Sequence, residues 1–286
     1  MTRPRGRVRL DRELVRRGLV ASRQVAQEVI AAGLVTVDGA PRHKPATLVS
    51  AQQEILVTGH GSRWDSRGGD KLAGALDRLG LPVAGRDCLD AGASTGGFTD
   101  VLLARGAARV VAVDVGYGQL AWRLRTDARV VVVERTHVRD LTAADLAGAD
   151  PDLVVADLSF ISVRTALPPL RVLLGAGVDW CLLVKPQFEV GPGHVDRRGV
   201  VRDPAAWGGA LDAVRDTAAE LGLVVAGATV SDPPGPAGNI EFFIWLHDGT
   251  PGDGEDGAVD RAAGDWTTLR DDLLAQGSAL QARANG

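Results

Sequence analysis

The chain has 286 residues, 45% hydrophobic and 24% charged, with 32 basic against 36 acidic side chains and a net charge of −4. That is a globular composition with room for two domains, and no apolar run approaches the roughly 20 residues a membrane helix needs, so a cytoplasmic protein is expected. Cys88 and Cys181 both lie in apolar strand-like runs, which fits a reducing compartment and not a disulfide scaffold.

The N-terminal arginines are followed by no apolar stretch, so no secretory signal is expected. Residues 1–60 carry ten basic and five acidic side chains, net +5, which leaves −9 for the remainder. A basic module on an acidic body suggests a polyanionic partner, most simply nucleic acid. Two short helices are expected over 10–18 and 22–32, the second capped by Ser22 and stopped by Gly33. Val35-Thr36-Val37 then meets the Asp38-Gly39 hairpin turn, and a further strand is expected over 54–58. The run from Ser22 to Val57 resembles an S4 domain, a small RNA-binding module. The resemblance implies that the exposed helix face meets RNA, with Arg12, Arg16, Arg17, Arg23 and Lys44 near phosphates.

Residues 61–70 read as a glycine-rich polar linker, and a helix is expected from Lys71 to Leu79. From Cys88 onward, strand-like and helical stretches alternate: 88–94, then a helix over 97–106; 109–115, then a helix over 117–125; 130–135; 153–160, then a helix over 163–174; 180–188, then a helix over 203–221. Strands so continuously rich in Val, Leu and Ile are buried on both faces, which implies an α/β domain over 71–248 with a mostly parallel sheet covered by helices. The last two strands, 224–230 and 240–246, have no helix between them and are expected as an antiparallel edge pair. Residues 249–286 are expected to be mostly disordered, with room for a short helix after Asp265.

The tip of the first strand carries DAGASTGGFTD, Asp90 to Asp100. Ligands of open α/β sheets bind at such strand ends. Gly92, Gly96 and Gly97 permit close backbone approach, Ser94 and Thr95 offer hydroxyls, and Ala93 and Phe98 complete the turn. Asp114 ends the second strand, ahead of Val115, where a carboxylate can accept both hydrogens of a ribose diol. A dinucleotide site would prefer glycine where Asp90 stands, because a carboxylate there repels phosphate. Asp90 suits instead the cationic amino acid end of S-adenosylmethionine.

Lys71 precedes the first strand, Asp157 and Lys185 each follow four apolar residues, and Glu241 opens the last strand. Ionisable groups at such places are costly unless paired or functional. This order is the Lys-Asp-Lys-Glu tetrad of 2′-O-ribose methyltransferases. Together with SRGGDKL, DVGYGQLAWRLR, DLSFIS, LVKPQFEVG, GVVRDP and GPAGNIEFF, the chain resembles, over roughly residues 6–247, the TlyA or haemolysin A family of ribosomal RNA cytidine 2′-O-methyltransferases. The resemblance implies an S4 domain ahead of an FtsJ-like, Rossmann-like methyltransferase domain, S-adenosylmethionine as cofactor, and ribosomal RNA or ribosomal subunits as partners, with no metal. A ribose hydroxyl is a weak acid and needs a base or a cationic clamp. Lys185 is the candidate base and Lys71 the second cation; Asp157 would orient Lys185, and Glu241 would fix the hydroxyl or a lysine.

The chain departs from the family where His137 replaces the usual Asn and where Arg63 and Asp65 flank Trp64. Three rivals are a base-amine RNA methyltransferase, for which DLSF at 157–160 is a faint match, a non-catalytic RNA-binding protein, and the pore-forming toxin implied by the older family name. No signal, membrane span or amphipathic barrel pattern accompanies that last reading.

Overall fold

The computed structural model describes residues 7–17, 19–20, 22–50, 53, 55–57, 64, 66–235, 238–249 and 265–285. They belong to two units that divide between Arg67 and Gly68. Most of the expected linker before Trp64, and the Gly/Asp-rich stretch from Thr250 to Gly264, lie outside the described residues.

The first unit contains β1 (Val8–Arg9), α1 (Leu10–Arg16), α2 (Arg23–Ala31), β2 (Val35–Val37), β3 (Ala40–Arg42), β4 (Leu48–Val49) and β5 (Ile55–Val57). Ser22 caps α2 by accepting from the Val25 amide at 3.2 Å, and Gly33 follows the helix at φ +72°. Asp38 and Gly39 both sit at positive φ, 51° and 76°, as the two-residue turn joining β2 to β3 requires. β2 is the centre of an antiparallel sheet ordered β3-β2-β5, and β1 pairs with β4. Leu10, Leu14, Val25, Val29, Ile30, Val35 and Val37 form the core.

The second unit runs α3 (Arg67–Leu79), β6 (Asp87–Ala91), α4 (Gly97–Ala104), β7 (Arg109–Asp114), α5 (Trp122–Arg125), β8 (Val130–Glu134), β9 (Leu153–Ala156), α6 (Val163–Leu174), β10 (Asp179–Val184), α7 (Pro186–Glu189), α8 (Pro204–Glu220), β11 (Leu223–Val230), β12 (Phe242–Asp248) and α9 (Trp266–Asn285). The seven strands are ordered β11-β12-β10-β9-β6-β7-β8, and all but β12 run in one direction. This is the mostly parallel, Rossmann-like sheet expected. The chain winds outward from β6 to β8 and then returns to β9 on the other side of β6. The carboxyl ends of β6 and β9 therefore flank the switch point where such sheets bind ligands. At the opposite rim Arg86 ties the strands together, pairing with Asp152 at 3.0 Å and Asp179 at 2.6 Å.

Several local expectations need correction. β11 and β12 do pair antiparallel, but only β11 is an edge: β12 inserts between β10 and β11 and is buried on both faces, which explains its unbroken FFIWL. Helix α3 begins at Arg67, so Gly68 and Gly69, read as linker, form its first turn, and Gly69 is buried. Of the helix expected over 117–125 only Trp122–Arg125 is helical, because Gly118 turns to φ +68°. The strand expected over 180–188 stops at Val184, where Pro186, lacking an N–H, starts α7.

The helix after Asp265 is not short. It spans 20 residues, packs on α8 and β11, and buries Leu273. Trp266 Nε1 donates to Asp212 at 2.6 Å, and Gly277 lies so close to Ile240 that a Cβ would meet it at 3.0 Å. A buried leucine truncated to alanine costs about 2–5 kcal/mol, so Leu273→Ala is expected to lower the thermal midpoint of the second unit by several degrees. A freely solvated tail would show no change.

Candidate active site

Asp90, the fourth residue of β6, is fully buried by the strands on either side. Its Oδ2 accepts from Thr99 Oγ1 at 2.6 Å, and its Oδ1 is buried with no partner. Burial, with the charges of Asp157 and Asp114 adding to it, pushes this carboxyl up to about 7. A buried carboxylate oxygen without a donor is costly. It fits a cation that arrives with a ligand, as the amino group of S-adenosylmethionine would.

The turn after β6 is held tightly. Gly92 sits at φ +90°, and a Cβ there would lie 2.6 Å from the Asp157 carbonyl oxygen; Gly96 at φ +101° would meet Leu124 at 2.2 Å. These two positions admit only glycine. Asp114 supports the turn from β7: its Oδ2 accepts from the Ser94 amide at 2.8 Å and its Oδ1 from the Gly116 amide at 2.6 Å. Each oxygen keeps a lone pair, so the carboxylate can still receive a ribose diol. Ala93 and Thr95 are buried within the turn, Gly97 opens α4, and Val115 is exposed beyond β7. Phe98 does not line the turn. Its ring packs against Phe243 with centroids 6.0 Å apart, which confines any part it has in cofactor contact to the main chain. His137 is half-buried, and its Nδ1 accepts from the Arg139 amide at 3.2 Å, capping the short helix at 138–140 as an Asn side chain would.

The four candidate catalytic side chains come together as two ion pairs. β12 runs opposite to its neighbours, so its start lies on the same rim as the ends of β9 and β10. Lys71 Nζ, from α3, donates to Glu241 Oε2 at 2.7 Å, and both groups are buried. Lys185 Nζ stands 2.6 Å from Asp157 Oδ1, off the angle of a hydrogen bond, and donates instead to Ser159 Oγ at 3.0 Å. Asp157 N donates to Ala91 O at 3.0 Å, which joins the catalytic carboxylate to the cofactor turn through main chain. Gly235 covers Glu241 closely: a Cβ there would lie 2.5 Å from Oε1.

Beside Lys185 stands an aromatic pair. Phe160 is 93% exposed, holds φ +65°, and faces Phe188 with centroids 5.5 Å apart. Lys185 Nζ lies 5.8 Å from the Phe188 ring. Sequence reasoning missed Phe160 and Phe188 as site residues, along with Thr99, Ser159 and Glu189. The Glu189 carboxylate accepts from Val163 N and Ser162 Oγ at the start of α6, and burial raises it above the usual carboxylate range.

In the first unit the expected RNA contacts are partly occupied. The Arg16 and Arg17 guanidinium groups bridge to the buried Glu13 at 2.5 and 2.8 Å, hydrogen bonds that hold Glu13 down at about 2. Arg17 also donates to Ser50 O and Gln53 O, so it braces the unit itself. Arg23 shares the buried Asp11 with Arg9. Arg12 and Lys44 are exposed, and their side chains have no acidic partner among the described residues.

Both units match known protein families. Residues 64–248 match the FtsJ-like methyltransferase family and residues 8–55 the S4 domain. The chain is 57% identical over 241 residues to the 16S/23S rRNA (cytidine-2′-O)-methyltransferase TlyA of Mycobacterium tuberculosis, which covers 84% of this chain and 90% of that one. It is 37% identical over 236 residues to Hemolysin A of Brachyspira hyodysenteriae, 82% and 98% of the two chains. Among solved structures, a protein called a hemolysin from Streptococcus thermophilus matches with a TM-score of 0.76 at 35% identity, over 98% of each chain. The chain therefore belongs to the TlyA family, an S4 domain followed by an FtsJ-like methyltransferase domain.

Proposed function

We propose that this protein transfers a methyl group from S-adenosylmethionine to the ribose 2′-hydroxyl of cytidine in ribosomal RNA, the activity carried in the name of its Mycobacterium tuberculosis relative. One observation carries the reading: Lys71–Glu241 and Lys185–Asp157 stand as two ion pairs on the rim beside the glycine turn. When bound, the cofactor supplies a methyl group on a sulfonium, an electrophile that needs an activated oxygen. Asp90 Oδ1 receives the cofactor's amino group and Asp114 its ribose. Lys185 takes the hydroxyl proton at Nζ. It acts as the neutral amine, its own proton having left to solvent, and Asp157 at 2.6 Å orients it and balances the ammonium that forms. Lys71, held by Glu241, supplies positive charge toward the forming alkoxide.

Phe160 serves as the acceptor's stacking face. A bulky residue at positive φ costs on the order of 1–3 kcal/mol, and at 93% exposure its one ring contact, with Phe188, returns little burial. A base turned out of its stack needs such an aromatic surface. No helix among the described residues is long and apolar enough to cross a membrane.

Three outcomes test the reading on ribosomal RNA lacking the modification. Lys185→Ala is expected to lower methyl transfer about 10²–10⁴-fold while cofactor binding persists; full activity would overturn the assignment, and a product whose methyl lies on the base would turn it to the base-amine reading. Phe160→Gly is expected to raise the thermal midpoint, because the backbone strain is relieved, yet lower kcat/KM by roughly 5- to 150-fold, the value of one base stack. Asp90 keeps its proton below about 7 in the free protein, and only the ionised form attracts an ammonium. Cofactor affinity measured by calorimetry should therefore rise as pH increases toward 7 and level off above it, and Asp90→Asn should flatten the profile.

A further inference from the structure

The stretch between α7 and α8 holds a feature outside this catalytic set. Arg197 and Arg198 lie adjacent on an exposed turn, and their side chains have no acidic partner among the described residues. The turn beneath them is built from every side. Asp196 N donates to Val200 O and Gly199 N to Asp196 O, both at 2.9 Å, with Gly199 at φ +79°. Asp196 Oδ1 accepts from the amides of Arg198 at 2.7 Å and Val200 at 2.9 Å, while its Oδ2 takes Arg202 at 3.2 Å. Val200 and Val201 are buried, and Trp207 Nε1 donates to Val201 O at 2.9 Å.

One buried side chain links this turn to the catalytic strand. Asn239, 4% exposed, accepts from Val201 N at 3.0 Å and donates to Gly199 O at 2.9 Å. Glu241 follows two residues later, about 7 Å of extended chain. The arginine turn is thus fixed to the segment that presents Glu241, and no hinge separates the two.

We propose that Arg197 and Arg198 form a phosphate-binding point of the methyltransferase unit, gripping the RNA strand that carries the acceptor ribose. The inference rests on the RNA reading above. Residues 61–286 are net −9, so this part of the chain as a whole repels a polyanion and must meet it through local cations. Guanidinium groups can meet phosphate bidentately, and the prefixed turn spares the backbone part of the ordering cost, though each side chain still gives up its rotamer freedom. Asp196 does not cancel them, because its carboxylate is already engaged by two amides and Arg202.

The test is the salt dependence of ribosomal RNA binding by the full chain, with methylation kinetics measured alongside. Arg197→Ala with Arg198→Ala should lower the slope of log affinity against log salt by roughly 1.4, the release of counterions at two single-strand phosphates, and should raise the KM for RNA. Cofactor affinity and thermal midpoint should stay as in the parent, since both side chains are solvated. Arg197→Lys with Arg198→Lys keeps the charges and should keep the slope. If the alanine variant matches the parent in slope and KM, the arginines are solvated surface charges and the proposal falls. If the parent itself neither binds nor methylates the RNA, the functional reading fails instead.

Discussion

The active site depends on one close approach, that of Gly92 to Asp157. The end of β6 and the end of β9 are neighbours at the switch point of the sheet, and Asp157 N bonds to Ala91 O there at 3.0 Å. With a Cβ on residue 92 only 2.6 Å from the Asp157 carbonyl, there is no slack between the turn that would cradle the cofactor and the carboxylate that pairs with Lys185. The two halves of the reaction are thus registered by main chain. Side-chain rearrangement cannot set their spacing, and a shift of about 1 Å in such an alignment can cost 10²-fold in rate.

Charge is arranged differently at the two rims of the sheet. At the amino rim, one guanidinium, Arg86, pairs with both Asp152 and Asp179. At the carboxyl rim the accounts stay open: Asp90 Oδ1 has no donor, and Asp157 Oδ1 touches Lys185 without hydrogen-bond alignment. Each open position costs stability in the free protein. The left-handed, solvent-facing Phe160 adds to that cost on the same side. Such liabilities are tolerated at functional sites and compensated elsewhere, here by the apolar interior around Trp207 and Phe242.

Much of this was legible in the sequence, because the relevant signals are local. The run of Val and Leu in each strand reports burial on both faces, Asp38-Gly39 reports its turn, and Ser22 its helix start. Asp157 and Lys185 were legible because ionisable residues directly after apolar strands stand out by their cost, whereas Lys71 and Glu241 entered only through the order of the family resemblance. What escaped depends on neighbours distant in sequence. β12 reads as an edge strand until β11 is seen to lie outside it. Gly68 and Gly69 read as linker because intrinsic helix propensity is low for glycine, whereas tertiary packing on Gly69 decides the outcome. The length of α9 was hidden by its weak amphipathic pattern; its hold on α8 comes from Leu273 and from Trp266 and Arg270 on Asp212. Phe98 looked like a turn residue and proved to be core. Asp11 and Glu13, which the sequence did not single out, are buried and each holds two arginines.

That last arrangement gives the basic N-terminal unit a specific character. A guanidinium already bridged to a buried carboxylate has lost part of its freedom before any partner arrives, and it has also given up part of its charge. Arg9, Arg16, Arg17 and Arg23 are in this position, whereas Arg12 and Lys44 keep their charge whole. On the proposed RNA-directed function, the paired arginines would present their remaining N–H groups in directions already set, which suits a partner of fixed geometry, while Arg12 and Lys44 would supply the longer-range attraction.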